Sequence, residues 1–260
     1  MTAVPLRSAL LPAAHGFFTR QGGVSVGAYA ELNCSLSGAD APAAVAENRA
    51  RAARALGLAP AALVGLSQVH GTAVVVVDAP RGELPWPVGA GPRADAMVTD
   101  RPGIGLGIVT ADCAPVLFAD PAAGVVGAAH AGWRGAAAGV IEATLAAMTR
   151  LGARAERIAA VVGPCIGQGS YEVGPDLRAA VLATDAAGAR FLAPGRRDDR
   201  WQFDLSGYCL ARLHAAGVGT AEALAADTAA DAERFFSHRR RTLGDGGPIG
   251  HQISIVALGE

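Results

Sequence analysis

Three side chains in this sequence are of types that together do metal chemistry: His70, Cys113 and His130. Each follows a stretch that reads as a buried strand, and each is bordered by Gly, Pro or Ala, which lets backbone or substrate approach closely. Two imidazoles and a thiolate form a borderline-soft ligand set that suits Zn²⁺. Three protein ligands leave the fourth tetrahedral position for water or substrate. A metal held there would lower the pKa of a bound water toward about 7 and supply hydroxide for attack on a carbon. The spacing is not that of a zinc finger, so two other readings stay open on the residues alone. In one, Cys113 is a nucleophile with His130 as its base; in the other, a buried cysteine and incidental histidines pack without chemistry.

Other polar groups cluster around these three. Asp112 precedes the cysteine, as an orienting or proton-transfer group. Arg134 opens a helix, where it suits a phosphate or carboxylate. Gln68 stands two residues before His70, and Glu172 is a weaker acid/base candidate. Cys165 reads as packing. His238 with Arg239 to Arg241 forms either a basic anion patch or a solvated charge run.

The elements that must position them follow from apolar patterning. Leu63 to Val69 and Thr72 to Asp78 read as strands around a His70-Gly71 corner, and the second is too β-branched for a helix. Arg81 to Arg93 is rich in Pro and Gly and reads as a loop. Further strands are expected near Asp95 to Thr99, Ile104 to Thr110, Val116 to Phe118, Val125 to Ala129, Ile158 to Val162 and Ile253 to Leu258, after a first one over His15 to Arg20. Helices are expected from Asp40 as N-cap to about Leu56, from about Arg134 to Arg150, from Pro175, and over Asp204 to Ala216. Within the first, Glu47, Asn48 and Arg49 read locally as solvated surface. Residues 1–260 show no internal repeat and no linker, so a single domain of mixed α and β structure is expected.

Composition excludes several function classes. The net charge is −1, with 23 acidic and 22 basic residues, so there is no electrostatic footprint for nucleic acid or anionic membrane. Every basic residue is arginine, which excludes a Schiff-base or Walker lysine. No apolar run is long enough to span a bilayer, the N-terminus is a poor signal peptide, and the four cysteines are widely spaced. These point to a cytoplasmic protein with free thiols.

Five ordered motifs carry a resemblance over nearly the whole chain: Ser67–Gly71 (SQVHG), Thr110–Pro115 (TADCAP), His130–Gly135 (HAGWRG), Gly163–Gly167 with Tyr171–Gly174 (GPCIG, YEVG), and Phe235–Arg240 (FFSHRR). Phe17–Ser25 and Glu47–Arg49 fit as well. In this the sequence resembles the bacterial laccase-domain family, variously called polyphenol oxidase, peptidoglycan editing factor, and purine nucleoside phosphorylase with adenosine deaminase activity. The resemblance implies an α+β fold, a layered α/β/β/α sandwich with mixed sheets, and a Zn²⁺ site of His70, Cys113 and His130. It also implies phosphorolysis of adenosine, inosine and methylthioadenosine, and deamination of adenosine. Its partners are then purine nucleosides and phosphate, with His70, Asp112, Cys113 and His130 as the catalytic group. Arg49, Arg134 or Arg20 would hold phosphate, and Asn33 would bond the ribose or base. Cu²⁺ could enter the same site, but a multicopper oxidase fits poorly, because the six histidines contain no His-x-His pair. A wall-precursor editing hydrolase and a non-catalytic binding protein are the other readings. One departure is visible: the family's Gly-Arg pair before the last strand is Gly250-His251 here, with His251 reading as a surface residue.

Overall fold

The computed structural model describes residues 3–79, 86, 89–184 and 186–259. Most of the Arg81 to Arg93 loop therefore lies outside the described residues.

In chain order the described elements are strands β1 (Pro5–Leu6) and β2 (Ala14–Phe18), helix α1 (Pro42–Arg54), and strands β3 (Leu63–Val64), β4 (Val74–Val76), β5 (Ala96–Thr99), β6 (Gly105–Thr110), β7 (Ala114–Asp120) and β8 (Val125–Ala131). Then come helices α2 (Trp133–Ala138) and α3 (Val140–Arg150), strands β9 (Ala159–Val162) and β10 (Glu172–Val173), and helix α4 (Pro175–Thr184). The chain closes with β11 (Leu192–Pro194), β12 (Trp201–Phe203), α5 (Leu205–Ala215), β13 (Thr220–Ala223), α6 (His238–Leu243) and β14 (Gln252–Ala257).

Two mixed sheets stack face to face. One has the order β1-β2-β14-β6-β3 and the other β13-β9-β7-β8-β5-β4; a small third sheet has the order β10-β12-β11. The period-two alternation of each strand sorts its side chains between layers. From the six-stranded sheet, Met97, Leu117, Val126, Ala128 and Val161 meet Phe17, Leu106, Ile108 and Val256 of the other sheet. The alternate residues, among them Val98, Val116, Phe118, Ala129 and Val162, face helices α3 and α5 through Leu145, Met148, Tyr208 and Leu213. On the outer face of the five-stranded sheet, Leu63, Ile253 and Ile255 pack on Ala52 and Ala53 of α1. The layers run helix, sheet, sheet, helix, as the resemblance implies. Strands covered on both faces read as continuous apolar runs, which explains why β7 and β8 are so uniformly hydrophobic.

Several expectations need correction. The helix over Arg134 to Arg150 is two helices, because Gly139 adopts φ 100°, ends α2 and starts α3. Ala41, not Asp40, is the N-cap of α1; the Asp40 carboxylate instead accepts hydrogen bonds from Ser25 and Asn33. The strands around His70 shrink to two and three residues. Of their remainder, Ser67, Ala73 and Val77 keep backbone bonds to neighbouring segments, and the Asp95 side chain holds Val69 to Gly71. Asn48 and Arg49 are buried rather than solvated. By contrast, the helix expected over Asp204 to Ala216 is present as α5, and Asp204 caps it, accepting from the Gly207 N–H at 2.9 Å.

Candidate metal centre and its pocket

The corner at His70 exists because of Asp95. This carboxylate is fully buried at the start of β5. Its two oxygens accept hydrogen bonds from the backbone N–H groups of Val69 (3.2 Å), His70 (2.9 Å) and Gly71 (2.7 Å). A turn that aims three successive N–H groups at one anion holds His70 at φ 61°, a left-handed conformation that non-glycine residues adopt at a cost. The same carboxylate accepts from His130 Nδ1 at 2.8 Å, while the Asp95 carbonyl accepts from the His130 N–H at 2.7 Å. With its proton committed to Asp95, the His130 ring presents Nε2 as its lone-pair nitrogen, the form a metal requires.

Gln68 holds the other side of this corner. Strand β3 ends at Val64, so on that edge β6 has no strand partner at Val109, which pairs only with Ile253 of β14 on the other side. The Gln68 amide supplies one, donating to the Val109 carbonyl at 2.8 Å and accepting from its N–H at 3.0 Å. His70 is thereby tied to the strand whose end carries Cys113. Replacing Gln68 with Leu should leave both Val109 groups unpaired, lower stability by about 2 kcal/mol, and weaken metal retention, as read by thermal unfolding and metal titration.

The three candidate ligands come together. One donor atom from each of His70, Cys113 and His130 lies within 4.8 Å of the others, and Cys113 Sγ is 3.8 Å from His70 Nε2. Tetrahedral zinc with ordinary bond lengths places a sulfur and a nitrogen ligand about 3.5 Å apart, so the spacing fits a single ion. The His rings sit edge to face with centroids 4.7 Å apart. A side chain at Gly132 would put its Cβ 2.8 Å from His70 Cδ2 and 3.0 Å from Cys113 Sγ, so only glycine leaves room for the cluster. Burial by itself would raise the Cys113 thiol, but the charge of His130 and hydrogen bonds from both histidines outweigh it and bring it down. Burial would likewise lower His130, yet the Cys113 thiolate and Asp95 raise it. The site is built to carry a thiolate.

These groups line one cavity of about 730 Å³. Arg49, Gly65, Trp133, Arg134, Tyr171 and Arg239 also line it. Trp86 donates to the Gly65 carbonyl at 2.9 Å and forms part of the wall.

The remaining candidates divide sharply. Arg49 and Arg134 are in the pocket; the Arg134 guanidinium lies 4.3 Å over the Trp133 ring, at the start of a helix only six residues long. Arg20 is not there, because its guanidinium bonds the Ala30 and Ala232 carbonyls and stacks over Phe236. Asn33 is not there either. It is fully buried and bonds Asp40, Ser35 and the His251 N–H, which makes it a hub of the surrounding loops rather than a substrate contact. Asp112, at φ 89°, lines the cavity, but its carboxylate accepts from Thr228 (2.7 Å), Ser237 (2.9 Å) and the Arg239 N–H (2.5 Å). It docks the 228–239 segment beside the cysteine, and the carboxylate that orients a ligand histidine is Asp95 instead. Glu172 is engaged by the Arg196 N–H and Arg197. His238 and Arg239 reach the pocket, whereas Arg240 turns to backbone carbonyls. Cys165 is buried as expected, and all four cysteines are free thiols. His251 is a pocket-lining residue, not a surface one. Asp95 carried no signal in the sequence beyond an acid at the mouth of an apolar strand, because its partners lie 24 to 35 residues away.

The sequence pattern of the multi-copper polyphenol oxidoreductase laccase family matches residues 14–259. The chain belongs to this laccase family. A relative named purine nucleoside phosphorylase from Deinococcus radiodurans is 44% identical over 97% of this chain and 92% of its own length. Another, named purine nucleoside phosphorylase ORF3 from Streptomyces griseus, is 46% identical over 89% and 91%. Among solved structures, Neisseria meningitidis protein NMB0706 of family DUF152 superposes with a TM-score of 0.84 at 35% identity, covering 100% of this chain and 99% of that one. Bacillus licheniformis hypothetical protein YfiH gives 0.86 at 30% identity, over 94% and 92%. Among the described residues of this laccase-family chain, no helix is long and apolar enough to cross a membrane.

Proposed function

We propose that this chain is a zinc-dependent purine nucleoside phosphorylase. On this reading it cleaves adenosine, inosine and methylthioadenosine with phosphate to the free base and ribose 1-phosphate or its methylthio analogue, and it deaminates adenosine to inosine. The observation that carries the reading is Arg49. Its guanidinium is buried in the wall of the pocket that holds the three ligands. Among the described residues it has no carboxylate partner, only the Cys34 carbonyl at 3.3 Å. Burial depresses its pKa, with the neighbouring Cys34 opposing, but a guanidinium keeps its charge. A buried cation without a counter-ion is costly, and a phosphate bound in a bidentate fashion would complete it.

Each residue then has a task. Arg49 holds and orients the phosphate that displaces the base at the ribose. Asp95 keeps His70 and His130 in ligating geometry, and Asp112 holds Cys113 beside the 228–239 segment. Arg134, lying on Trp133, contributes a cationic wall to the nucleoside pocket. Zinc held by His70, Cys113 and His130 supplies Lewis acidity when bound. The same donor set accepts Cu²⁺, so metal analysis of protein purified without added metal separates the two.

In the test, Arg49→Met should raise the KM for phosphate about 10- to 100-fold, the value of charge-assisted hydrogen bonds. Adenosine deamination, which needs no phosphate, should be little changed. Because an unpaired buried charge is removed, the Tm should not fall. An unchanged phosphate dependence, or no turnover of any purine nucleoside by zinc-loaded protein, would overturn the proposal.

A further inference from the structure

Among the described residues, His251 is the one residue of the pocket wall whose ring is left without a hydrogen-bond partner at a buried nitrogen. It immediately precedes β14, next to the Gln252–Thr110 pair of the β14–β6 ladder. Residues that alternate along a strand share a face, so His251 lies on the side of Ile253 and Ile255, the side that also carries α1 and Arg49. Its backbone is fixed at both ends: the N–H donates to Asn33 at 2.9 Å, and the carbonyl accepts from the Cys34 N–H at 3.0 Å. Cys34 is also the residue whose carbonyl accepts from Arg49. His251 and Arg49 are therefore anchored to the same residue, and both line the cavity that holds the ligand cluster.

The ring carries a chemical constraint. Its Nδ1 is shut off from solvent and has no partner among the described residues. A buried N–H without an acceptor is rarer and costlier than a buried unused lone pair. The proton therefore belongs on Nε2, the nitrogen that is not enclosed. Burial, with His130, His238 and Arg241 around it, also keeps the imidazole from protonating, pulling its pKa down to about 4. The pocket thus contains, close to the buried Arg49 cation, a neutral N–H donor.

We propose that His251 is a specificity-determining residue, whose Nε2–H donates a hydrogen bond to an uncharged acceptor atom of the bound nucleoside and not to the phosphate. The inference rests on the nucleoside reading above. A neutral donor suits a carbonyl, ring nitrogen or ribose oxygen. It opposes an exocyclic amine, whose hydrogens would meet the Nε2–H. A base carrying a carbonyl at the six-position offers an acceptor where adenine offers a donor. With the acceptor at that position, His251 favours 6-oxopurine over 6-aminopurine nucleosides.

The test uses the full-length, zinc-loaded protein and its His251→Ala and His251→Gln variants. Steady-state phosphorolysis is measured with inosine and with adenosine, at varied nucleoside and varied phosphate. Loss of one neutral hydrogen bond should raise the KM for nucleoside about three- to tenfold in His251→Ala, with the KM for phosphate and the zinc content unchanged. His251→Gln, which keeps an N–H at similar reach, should restore part of the loss. A larger rise for inosine than for adenosine assigns the acceptor to the six-position carbonyl; an equal rise assigns it to a ring nitrogen or ribose oxygen shared by both. An unchanged nucleoside KM in folded, zinc-loaded His251→Ala overturns the role of His251 while the phosphorylase reading stands. An equal rise in the KM for nucleoside and the KM for phosphate also overturns it, because that reports general pocket damage. If the wild-type protein turns over neither nucleoside, the functional reading fails and this inference fails with it.

Discussion

Cys113→Ala should yield a folded protein that no longer retains its metal and turns over substrate at least about 10³-fold more slowly, the value of several kcal/mol of Lewis-acid stabilisation. Cys113 is only half-buried and belongs to none of the apolar clusters, so the fold has little to lose. The metal has much to lose, since the thiolate is the one anionic donor among the three ligands. The same experiment separates metal chemistry from a Cys113–His130 nucleophile pair. If Cys113 is a ligand, wild-type protein stripped with a chelator becomes inactive and recovers on adding zinc. If it is a nucleophile, the stripped protein stays active and only the variant is dead. Zinc bound at full stoichiometry in Cys113→Ala would remove the cysteine from the ligand set.

Asp95→Asn is expected to be the most damaging substitution of a residue that is itself neither a candidate metal ligand nor a substrate contact. The carboxylate serves four donors: three backbone N–H groups and His130 Nδ1. An amide can accept at its oxygen only, and its own NH₂ would point at an N–H that now has nothing to bond. The loss should be about 3 kcal/mol in stability. A 10- to 100-fold loss of metal affinity should accompany it, because the orientation of His130 and the corner of His70 fail together. The pH dependence adds a second signature. Burial alone would raise the Asp95 pKa, but hydrogen bonds from His130, Gly71 and His70 outweigh it and hold it below the ordinary carboxylate value. A carboxyl depressed in the folded state contributes stability that is present above its unfolded pKa, about 3.9, and is lost as pH falls through the lower folded value. Wild-type stability should therefore drop in acid by a contribution that Asp95→Asn lacks, as denaturant unfolding between pH 6 and about 3 would show. Equal acid sensitivity in the two proteins would mean that the carboxylate is not held as the geometry indicates.

The candidate ligand triad was legible in the sequence for a physical reason. Each member stands in or next to a segment with strand-like apolar patterning, and glycine or proline lies close by where the chain turns. The layering was legible in part. Uniformly apolar β7 and β8 indicate burial on both faces, but only the paired strands show which alternate residues meet the second sheet and which meet the helices. The arginines were not separable. Arg20, Arg49 and Arg134 are the same residue type, and each falls in or near a motif that carries the resemblance. What distinguishes them is where the fold puts the guanidinium: that of Arg20 is spent on the Ala30 and Ala232 carbonyls and the Phe236 ring away from the cavity, whereas Arg49 and Arg134 line it.

The sequence by itself determined the alternation of strands and helices and the absence of a lysine for covalent chemistry, because these depend on residue type and local period, and it singled out His70, Cys113 and His130 as candidate donors through residue type and the family resemblance. The tertiary structure alone decided which carboxylate serves the metal ligands. Asp112 adjoins a ligand in the chain yet spends its oxygens on Thr228, Ser237 and Arg239, while Asp95, remote from both histidines in the chain, bonds the backbone of one and the ring of the other. A hydrogen bond reaches about 3 Å through space whatever the separation along the chain, so the groups that orient the candidate ligands are written in the fold and not in the spacing.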